Sequence, residues 1–214
     1  MNTIAICDYG MGNLHSVASA ITQVAPDADV HITADAELIE RATRVIFPGV
    51  GAVRDCMSEI QRLGFDTIVK RAIASGKPVL GICVGMQLLF SNSEENGGID
   101  CMGIVDGVVK YFGDDLVDAQ GEKLKVPHMG WNNVRQSVAH PLWESINDQA
   151  QFYFVHSYYC QPKNSDLSSG VSEYGSEFTS AIAKDNLFAT QFHPEKSHRD
   201  GLQLLANFCR WTGE

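Results

Sequence analysis

Several features are scarce in this 214-residue sequence, and each scarcity argues against a class of protein. Basic residues are outnumbered, with 16 Lys and Arg against 26 Asp and Glu. The net charge of −10 disfavours nucleic acid or an anionic membrane as a partner. Six cysteines are scattered without a C-x-x-C pair, so neither a zinc site nor a disulfide framework is predicted. No apolar run approaches the length of a membrane span.

Two familiar signals are also missing near the amino terminus. No positive charge precedes Asp8, unlike in a secretory signal peptide, so we expect a cytoplasmic protein with reduced thiols. The loop after the first predicted strand contains Gly10 and Gly12 but lacks the third glycine of a dinucleotide-binding loop. We therefore interpret both glycines as turn residues and expect no cofactor and no metal.

The order of the predicted elements indicates an α/β fold in a single domain, residues 1–214. Strands are predicted at 3–7, 28–33 and 44–47, and helices at 14–24, 52–63 and 65–75. Strands that alternate with helices form a parallel sheet with helices on both faces, and ligands bind at the carboxyl ends of its strands. From Gly97 onward, shorter glycine- and aromatic-rich segments predict antiparallel strands that extend the sheet, before a last helix at 197–211.

The candidate nucleophile is Cys83, which lies in the apolar run 78–90. This run predicts a buried strand that breaks at Gly81 and resumes as a helix, with the cysteine at the break. Glycines two residues before and after Cys83 allow the sharp strand-to-helix turn of a nucleophile elbow. Free N–H groups at the start of a helix favour a thiolate over a thiol. The alternative is a small buried side chain without a chemical role.

A thiolate nucleophile needs a base, and the base needs a group that fixes its tautomer. The sequence supplies both in His193-Pro194-Glu195, directly after the last predicted strand. Residues two apart in extended backbone point the same way, so the Glu195 carboxylate is expected beside the His193 ring. These residues predict a Cys–His–Glu triad. The alternative for an isolated His-Pro-Glu is a solvated turn with a surface ion pair.

The same chemistry needs donors for a developing oxyanion. The N–H of Val84, the residue after the nucleophile, is one predicted donor. Pro48-Gly49-Val50-Gly51 follows another predicted strand, and its glycines let the backbone of Val50 and Gly51 approach a reacting carbonyl. The alternative is an ordinary glycine turn. Both segments are predicted at carboxyl ends of strands, which places them in one site.

Together these motifs resemble those of the class I, triad-type glutamine amidotransferases. The resemblance covers most of the chain. It rests on the G-x-C-x-G elbow, the P-G-x-G loop, the late H-P-E and further motifs at 8–13, 85–90, 127–132 and 153–158. Val84 stands where leucine is usual in the family, which is a conservative change for a backbone donor. The resemblance implies a three-layer, flavodoxin-like α/β/α fold with a mostly parallel central sheet and an antiparallel extension in the carboxyl-terminal half.

The resemblance also implies an activity, the hydrolysis of glutamine to glutamate and ammonia by a triad of Cys83, His193 and Glu195. The ammonia would pass to a partner in a heterodimer, a cyclase subunit of (βα)8-barrel fold that serves histidine biosynthesis. The implied substrate contacts are Gly49, Gln87, Glu95, Ser157 and Tyr158, the last two through their main chain, and the implied partner interface includes Met129 and Trp131. The alternatives are a solvated acidic pair for Glu94 and Glu95 and a core position for Trp131.

Three other functions compete with this hypothesis. The first is a related glutaminase subunit of a different synthase, such as one that amidates a sugar for surface polysaccharide. The second is a single-chain cysteine hydrolase acting on an ester or lactone, which would leave Gln87 and the 48–51 loop without a purpose. The third is a non-catalytic binding subunit, which is disfavoured because all three triad residues are present.

Overall fold

The structure is a computed structural model that describes residues 2–214. Its helices are α1 Leu14–Val24, α2 Ala36–Arg41, α3 Val53–Leu63, α4 Phe65–Ala74, α5 Val84–Leu88 and α6 His198–Arg210. Its strands are β1 Thr3–Cys7, β2 Asp29–Thr33, β3 Arg44–Gly49, β4 Val79–Cys83, β5 Phe90–Ser93, β6 Ile99–Asp100, β7 Val105–Tyr111, β8 His128–Gln136, β9 Ala150–His156, β10 Tyr158–Pro162, β11 Ser168–Glu173, β12 Glu177–Lys184 and β13 Leu187–Thr190. Among these described residues, no helix combines the length and apolarity needed to span a membrane.

One half of the sheet is parallel, in the order β2-β1-β3-β4-β13. Its inner strands β1, β3, β4 and β13 are mostly apolar, and side chains such as Leu80 and Phe188 are fully buried because helices cover both faces of the sheet. The connections from β1 to β2 and from β2 to β3 run in opposite directions across the sheet. Right-handed crossovers therefore place α1 on one face and α2 on the other. Helix α6 packs beside α1, and α4 packs against both α2 and α3.

The other half of the sheet consists mainly of antiparallel pairs. From β13 the order continues through β12 and β10 to β7, and then through β5, which is parallel to β7, to β6. Strand β11 joins β12 to β8, and β8 forms a long antiparallel pair with β9. Along β8, His128 and Val134 are buried while Met129 and Trp131 are exposed. The predicted α/β class, with a parallel sheet and an antiparallel extension, is confirmed.

The structure differs from the sequence prediction around the elbow. Strand β4 continues through Gly81 to Cys83, because Gly81 packs against Ala189 of neighbouring β13; a Cβ at Gly81 would come within 2.9 Å of the Ala189 Cβ. The helix after the elbow has only five residues, since the chain turns at Phe90 into β5 and pairs with Val105 of β7. The sequence pattern also does not predict α2, β5, β6, β10 or β11, which are all short.

The carboxyl ends of β3 and β4 meet at one edge of the parallel sheet. Gly49, the last residue of β3, is the register partner of Cys83, the last residue of β4. This register brings the 48–51 loop next to the elbow, as expected for neighbouring parallel strands. The edge therefore carries the segments on which the site is built.

Candidate active site

Cys83 lies at a strained turn between β4 and α5. Its backbone has φ +56° and ψ −115°, a region that residues other than glycine rarely adopt. Gly85 lets the turn approach β3 closely, because a Cβ at this position would overlap the carbonyl oxygen of Phe47. The cysteine side chain is 4% exposed, and Val84 is the first residue of the following helix. The strand, the turn and the helix together form the geometry of a nucleophile elbow.

His193 and Glu195 form a buried pair at the turn after β13. Nδ1 of His193 lies 2.8 Å from Oε1 of Glu195, and the two side chains are 2% and 0% exposed. A carboxylate only accepts, so Nδ1 carries the proton and Nε2 faces away from the carboxylate. The N–H of His193 donates to the Tyr153 carbonyl at 2.9 Å, and Ser197 Oγ donates to the His193 carbonyl at 2.6 Å. These bonds hold the turn in place.

The charge of His193 is set by opposing influences. Burial alone would lower its pKa, but its interactions with Cys83 and Glu195 outweigh burial and raise the pKa to about 10. Among the described residues Nε2 has no hydrogen-bond partner of good geometry, although the Cys83 sulfur is near enough to help raise the pKa of His193. Such contacts often tighten only when a substrate is bound. The site favours an imidazolium next to the sulfur, which is the arrangement that activates cysteine nucleophiles.

Asn13 reaches the same carboxylate, although the sequence pattern does not reveal it. Its Nδ2 donates to Oε1 of Glu195 at 3.1 Å, so this oxygen accepts from both Asn13 and His193. Asn13 ends the glycine loop after β1, one of the strands whose carboxyl ends form the site edge. That position is the signal by which it could be found, because polar groups at this edge commonly serve a site.

The 48–51 loop is held from behind by two buried side chains. The Tyr9 hydroxyl donates to the Pro48 carbonyl at 2.8 Å, and Cys56 Sγ lies 3.4 Å from the Val50 carbonyl. Gly49 has no room for a side chain, since a Cβ there would come 2.6 Å from the Tyr9 hydroxyl oxygen. Both carbonyls are thereby anchored on the side away from the cavity.

A cavity of about 340 Å³ brings most of the predicted site residues together. Its wall combines the thiol and the imidazole with the backbone of the 48–51 loop and with the corner between β9 and β10. Glu195 lies behind His193, and Gly49 lies behind the loop, so neither lines the cavity. The predicted residues that do line it are Val50, Gly51, Cys83, Val84, Gln87, Glu95, Ser157, Tyr158 and His193.

Gln87 is oriented by two acceptors of the protein itself. Its Nε2 donates to the Tyr158 carbonyl and to Gln191 Oε1, both at 3.0 Å. A carbonyl only accepts, so the amide nitrogen of Gln87 must face Tyr158. Within residues 2–214, no hydrogen bond engages Oε1 of Gln87, which leaves this oxygen available to a donor in the cavity. Nε2 of Gln191 lies 4.0 Å from Cys83 Sγ.

Glu94 is exposed and Glu95 is half-buried, and each carboxylate accepts a hydrogen bond from a backbone N–H. Oε2 of Glu95 accepts from the N–H of Val53 at 2.7 Å and so holds the start of α3, while the residue also lines the cavity. Oε2 of Glu94 accepts from the N–H of Tyr111, the last residue of β7, at 3.0 Å. A contact between Glu95 and a substrate stays a prediction.

Met129 and Trp131 project from β8 and are 62% and 43% exposed. The Trp131 ring stacks on His198, with ring centroids 5.0 Å apart and planes within 4°. The exposure of Trp131 contradicts the alternative of a core position. Its part in a partner interface stays a prediction.

The arrangement can perform acyl transfer through a thiol. It combines a sulfur nucleophile, an imidazole held by a carboxylate, and backbone segments that can face an oxyanion. Over the described range 2–214, no three His, Cys, Asp or Glu side chains are grouped so that they could hold a metal ion.

Comparison with known sequences identifies the class of protein. The family described as glutamine amidotransferase class-I matches residues 5–211. The chain belongs to this family, and the elbow, the histidine turn and the 48–51 loop all lie inside the matched region.

Full-length relatives show which members of this family the chain resembles. Subunit HisH of imidazole glycerol phosphate synthase from Pseudomonas syringae pv. syringae is 58% identical over 213 residues, covering 100% of this chain and 99% of the relative. Subunit HisH 1 from Pseudomonas aeruginosa has the same identity and coverage. The HisH subunit from Acinetobacter baylyi is 56% identical, covering 99% of this chain and 100% of the relative. Within the class, the chain groups with the HisH glutaminase subunits.

Solved structures agree on the fold. The structure of PurLQS from Thermotoga maritima has a TM-score of 0.72 and 15% identity, covering 97% of each chain. The glutaminase domain of CTPS from Trypanosoma brucei has a TM-score of 0.65 and 16% identity, covering 100% of this chain and 97% of the other. At these identities the likeness concerns the fold alone.

Proposed function

We propose that this chain is the glutaminase subunit of an imidazole glycerol phosphate synthase, which hydrolyses glutamine and delivers the ammonia to histidine biosynthesis. The observation that carries the proposal is the convergence of Cys83, the His193–Glu195 pair and the 48–51 backbone at one cavity. Identity of 58% to HisH subunits over the whole chain supports this particular synthase.

The first half of the reaction forms a thioester. The Cys83 thiolate attacks the side-chain amide carbon of glutamine, and the carbonyl electrons move to oxygen. The N–H of Val84 and those of Val50 and Gly51 stabilise this oxyanion. When the oxyanion collapses, the carbon–nitrogen bond breaks, and protonated His193 gives its Nε2 proton to the leaving nitrogen, which departs as ammonia. Glu195 stabilises the imidazolium and keeps Nε2 directed at the reacting atoms.

The second half of the reaction hydrolyses the γ-glutamyl thioester. Neutral His193 takes a proton from a water molecule at Nε2, and the resulting hydroxide adds to the thioester carbonyl. The carbon–sulfur bond then breaks, glutamate leaves, and Cys83 returns as a thiolate next to the imidazolium. The raised pKa of His193 supports an imidazolium in the resting site.

The remaining cavity wall recognises the substrate. Oxygen Oε1 of Gln87 accepts a hydrogen bond from glutamine, and the main chain at Ser157 and Tyr158 borders the rest of the molecule. Glu95 adds a carboxylate to the wall, and Gly49 keeps the loop close to the elbow. The positions of Gln87, Glu95, Ser157 and Tyr158 in the cavity wall support these roles.

Ammonia that escaped into water would be protonated and lost, so the site needs a partner that covers it. The HisH subunit name of the relatives implies such a partner subunit. We infer that it is a cyclase of (βα)8-barrel fold, bound as a heterodimer on a surface that includes Met129 and Trp131. The large exposed fractions of these two side chains support this surface.

The test is glutamate release from glutamine by the purified chain, first alone and then with the cyclase partner and its nucleotide ligand. We expect strong stimulation by the ligand-bound partner. Activity that is indifferent to this partner would keep the glutaminase chemistry but contradict the assigned synthase. Absence of glutamate under both conditions would contradict the glutaminase itself.

Replacing Cys83 with alanine tests the nucleophile. We expect glutamate release by the complex to fall about 10⁴-fold or more, because no other group can form the thioester. The cyclase reaction with added ammonium salt should stay within about twofold of wild type. Cys101→Ala, outside the cavity, is the matched control and should leave both rates unchanged. Loss of both reactions in Cys83→Ala would indicate a structural role.

A further inference from the structure

Two buried histidines, His156 in the cavity wall and His128 behind it, have no part in the reaction described above. His128 and His156 are register partners in β8 and β9, and Nδ1 of His128 lies 2.9 Å from Nε2 of His156. They are 3% and 6% exposed. Asn132 Nδ2 lies 3.3 Å from Nε2 of His128, and Nδ1 of His156 lies 2.8 Å from the Tyr158 carbonyl. The four residues form a continuous chain of hydrogen bonds.

If both rings are neutral, a single placement of their protons satisfies every hydrogen bond in this series. The Tyr158 carbonyl only accepts, so His156 donates from Nδ1 and its Nε2 accepts from Nδ1 of His128. Nε2 of His128 then accepts from Asn132, whose amide also donates to the Glu173 carbonyl at 2.8 Å. From Asn132 through His128 to His156, each hydrogen bond along this series is donated in the direction of Tyr158.

The surroundings of the two rings favour the neutral form. The His128 ring stacks between Phe154 and Tyr174, with centroid distances of 4.9 and 4.1 Å, and Phe112 packs edge-on against both histidines. Burial lowers the pKa of His128 to about 4. Burial also lowers the pKa of His156 to about 3, against the opposing effect of the Tyr158 carbonyl. At neutral pH both rings are uncharged.

The series of hydrogen bonds ends at the Tyr158 carbonyl, which also orients Gln87. The Tyr158 carbonyl accepts from Nδ1 of His156 at 2.8 Å and from Nε2 of Gln87 at 3.0 Å. One donor from β9 and one from α5 therefore fix a single carbonyl. With its nitrogen held there, Gln87 directs Oε1 away from Tyr158, and both residues line the cavity.

We propose that His156 is a positioning residue for the glutamine site: the Nδ1 donor of His128 fixes its neutral tautomer, and His156 holds the Tyr158 carbonyl and, through it, Gln87. This inference rests on the proposed glutaminase function. The pair makes no hydrogen bond to Cys83 or His193 among the described residues. Its loss should therefore weaken glutamine binding more than it slows the chemical step.

Two matched variants distinguish the role of Nδ1 of His156 from that of Nε2. The amide of asparagine reaches the position of Nδ1, and that of glutamine reaches the position of Nε2. His156→Asn keeps a donor for the Tyr158 carbonyl, whereas His156→Gln keeps the contact with His128 and loses that donor. We expect the KM for glutamine of the partner complex to rise about tenfold in His156→Gln, with kcat within about threefold of wild type. In His156→Asn the KM should stay within about threefold of wild type.

The outcomes distinguish this inference from the function on which it rests. Equal KM values in the two variants, or an unchanged KM in His156→Gln, would overturn the inference while wild type stays active. A wild-type complex that releases no glutamate would overturn the proposed function itself.

A second measurement needs neither a variant nor activity. Nitrogen-15 NMR of the full wild-type chain should show a neutral ring with the proton on Nδ1 at both His128 and His156. A proton on Nε2, or a charged ring at neutral pH, at either residue would overturn the directed chain.

Discussion

Buried histidines occur in two contrasting environments near the cavity, one at His193 and the other at His128 and His156. His193 is 2% exposed, has a carboxylate on Nδ1, and has a pKa raised to about 10. His128 and His156 are about as buried, but their Nδ1 atoms face an imidazole and a carbonyl, and their pKa values are lowered to about 4 and 3. Burial alone therefore does not decide the charge of an imidazole in this protein; the partners of the ring do.

The two settings also affect each other. A positive charge on His193 contributes to the lowered pKa of His156. Since repulsion is mutual, a charged His156 would disfavour the imidazolium at His193. A neutral pair at β8 and β9 therefore supports the charged state on which the proposed chemistry depends.

Within this comparison, the largest expected effect on activity comes from neutralising the Glu195 carboxylate beside the charged His193. Glu195→Gln keeps the size of the side chain but removes the charge that helps raise the pKa of His193. We expect kcat for glutamate release to fall about 10³- to 10⁴-fold, by analogy with loss of the carboxylate in other triads. The titration midpoint of His193, followed by NMR, should fall as well.

The matched control for Glu195→Gln is Glu177→Gln, which removes an exposed carboxylate paired with Arg135 at 2.7 Å. Exposed pairs contribute little, so this variant should keep its activity within about twofold. If Glu195→Gln retained a rate close to wild type, or if His193 kept its high titration midpoint, the carboxylate would not be the source of the charge.

The contrast between the two settings also predicts how stability depends on pH. Burial lowers the pKa of His140 to about 4, as it does that of His128, and lowers the pKa of His156 to about 3. These groups bind protons more readily when unfolded, so their contribution to stability is present above pH 6.5 and is lost as pH falls towards 4. Between pH 7 and pH 5 we expect a loss of about 2 kcal/mol of unfolding free energy for each ring, measured by denaturant titration.

His140→Asn isolates one of these contributions. Nδ1 of His140 accepts from the N–H of Leu142 at 3.1 Å, and the asparagine oxygen can replace this acceptor without titrating. The variant should lose about 2 kcal/mol less than wild type between pH 7 and pH 5. His193→Gln should instead change the unfolding free energy above pH 6.5. Because the pKa of His193 is raised, its protonation stabilises the fold fully below pH 6.5, and this contribution is lost as the pH rises towards 10. An unchanged acid slope in His140→Asn would contradict the lowered pKa.

Sequence patterns reveal those parts of the site that are local in the chain. The elbow depends on glycines two residues from Cys83, and the His193–Glu195 contact depends on residues two apart near the end of a strand. The alternation of apolar segments likewise predicts the parallel sheet and therefore the edge where these segments meet. Short-range geometry is enough for each of these features.

The parts that sequence patterns do not reveal depend on contacts between distant segments. Asn13 and Glu195 are 182 positions apart, and His128 and His156 are 28 apart and meet only through the register of β8 and β9. No period or motif encodes such a register. The end of the helix after Cys83 is similar, because the pairing of Phe90 with Val105 terminates it.

The smallest expected effect concerns the second donor on the Glu195 carboxylate. In Asn13→Ala, Oε1 of Glu195 keeps its contact with His193 but loses the bond from Asn13 at 3.1 Å. We expect kcat to fall about tenfold with little change in KM, since a hydrogen bond to a charged group contributes about 1.5–3 kcal/mol and the carboxylate itself remains. Asn13→Asp should be slower than Asn13→Ala, because a second carboxylate would repel Glu195 and compete for the imidazolium. Equal rates in the two variants would show that Asn13 acts through packing, and the charged setting would then depend on Glu195 and Cys83 alone.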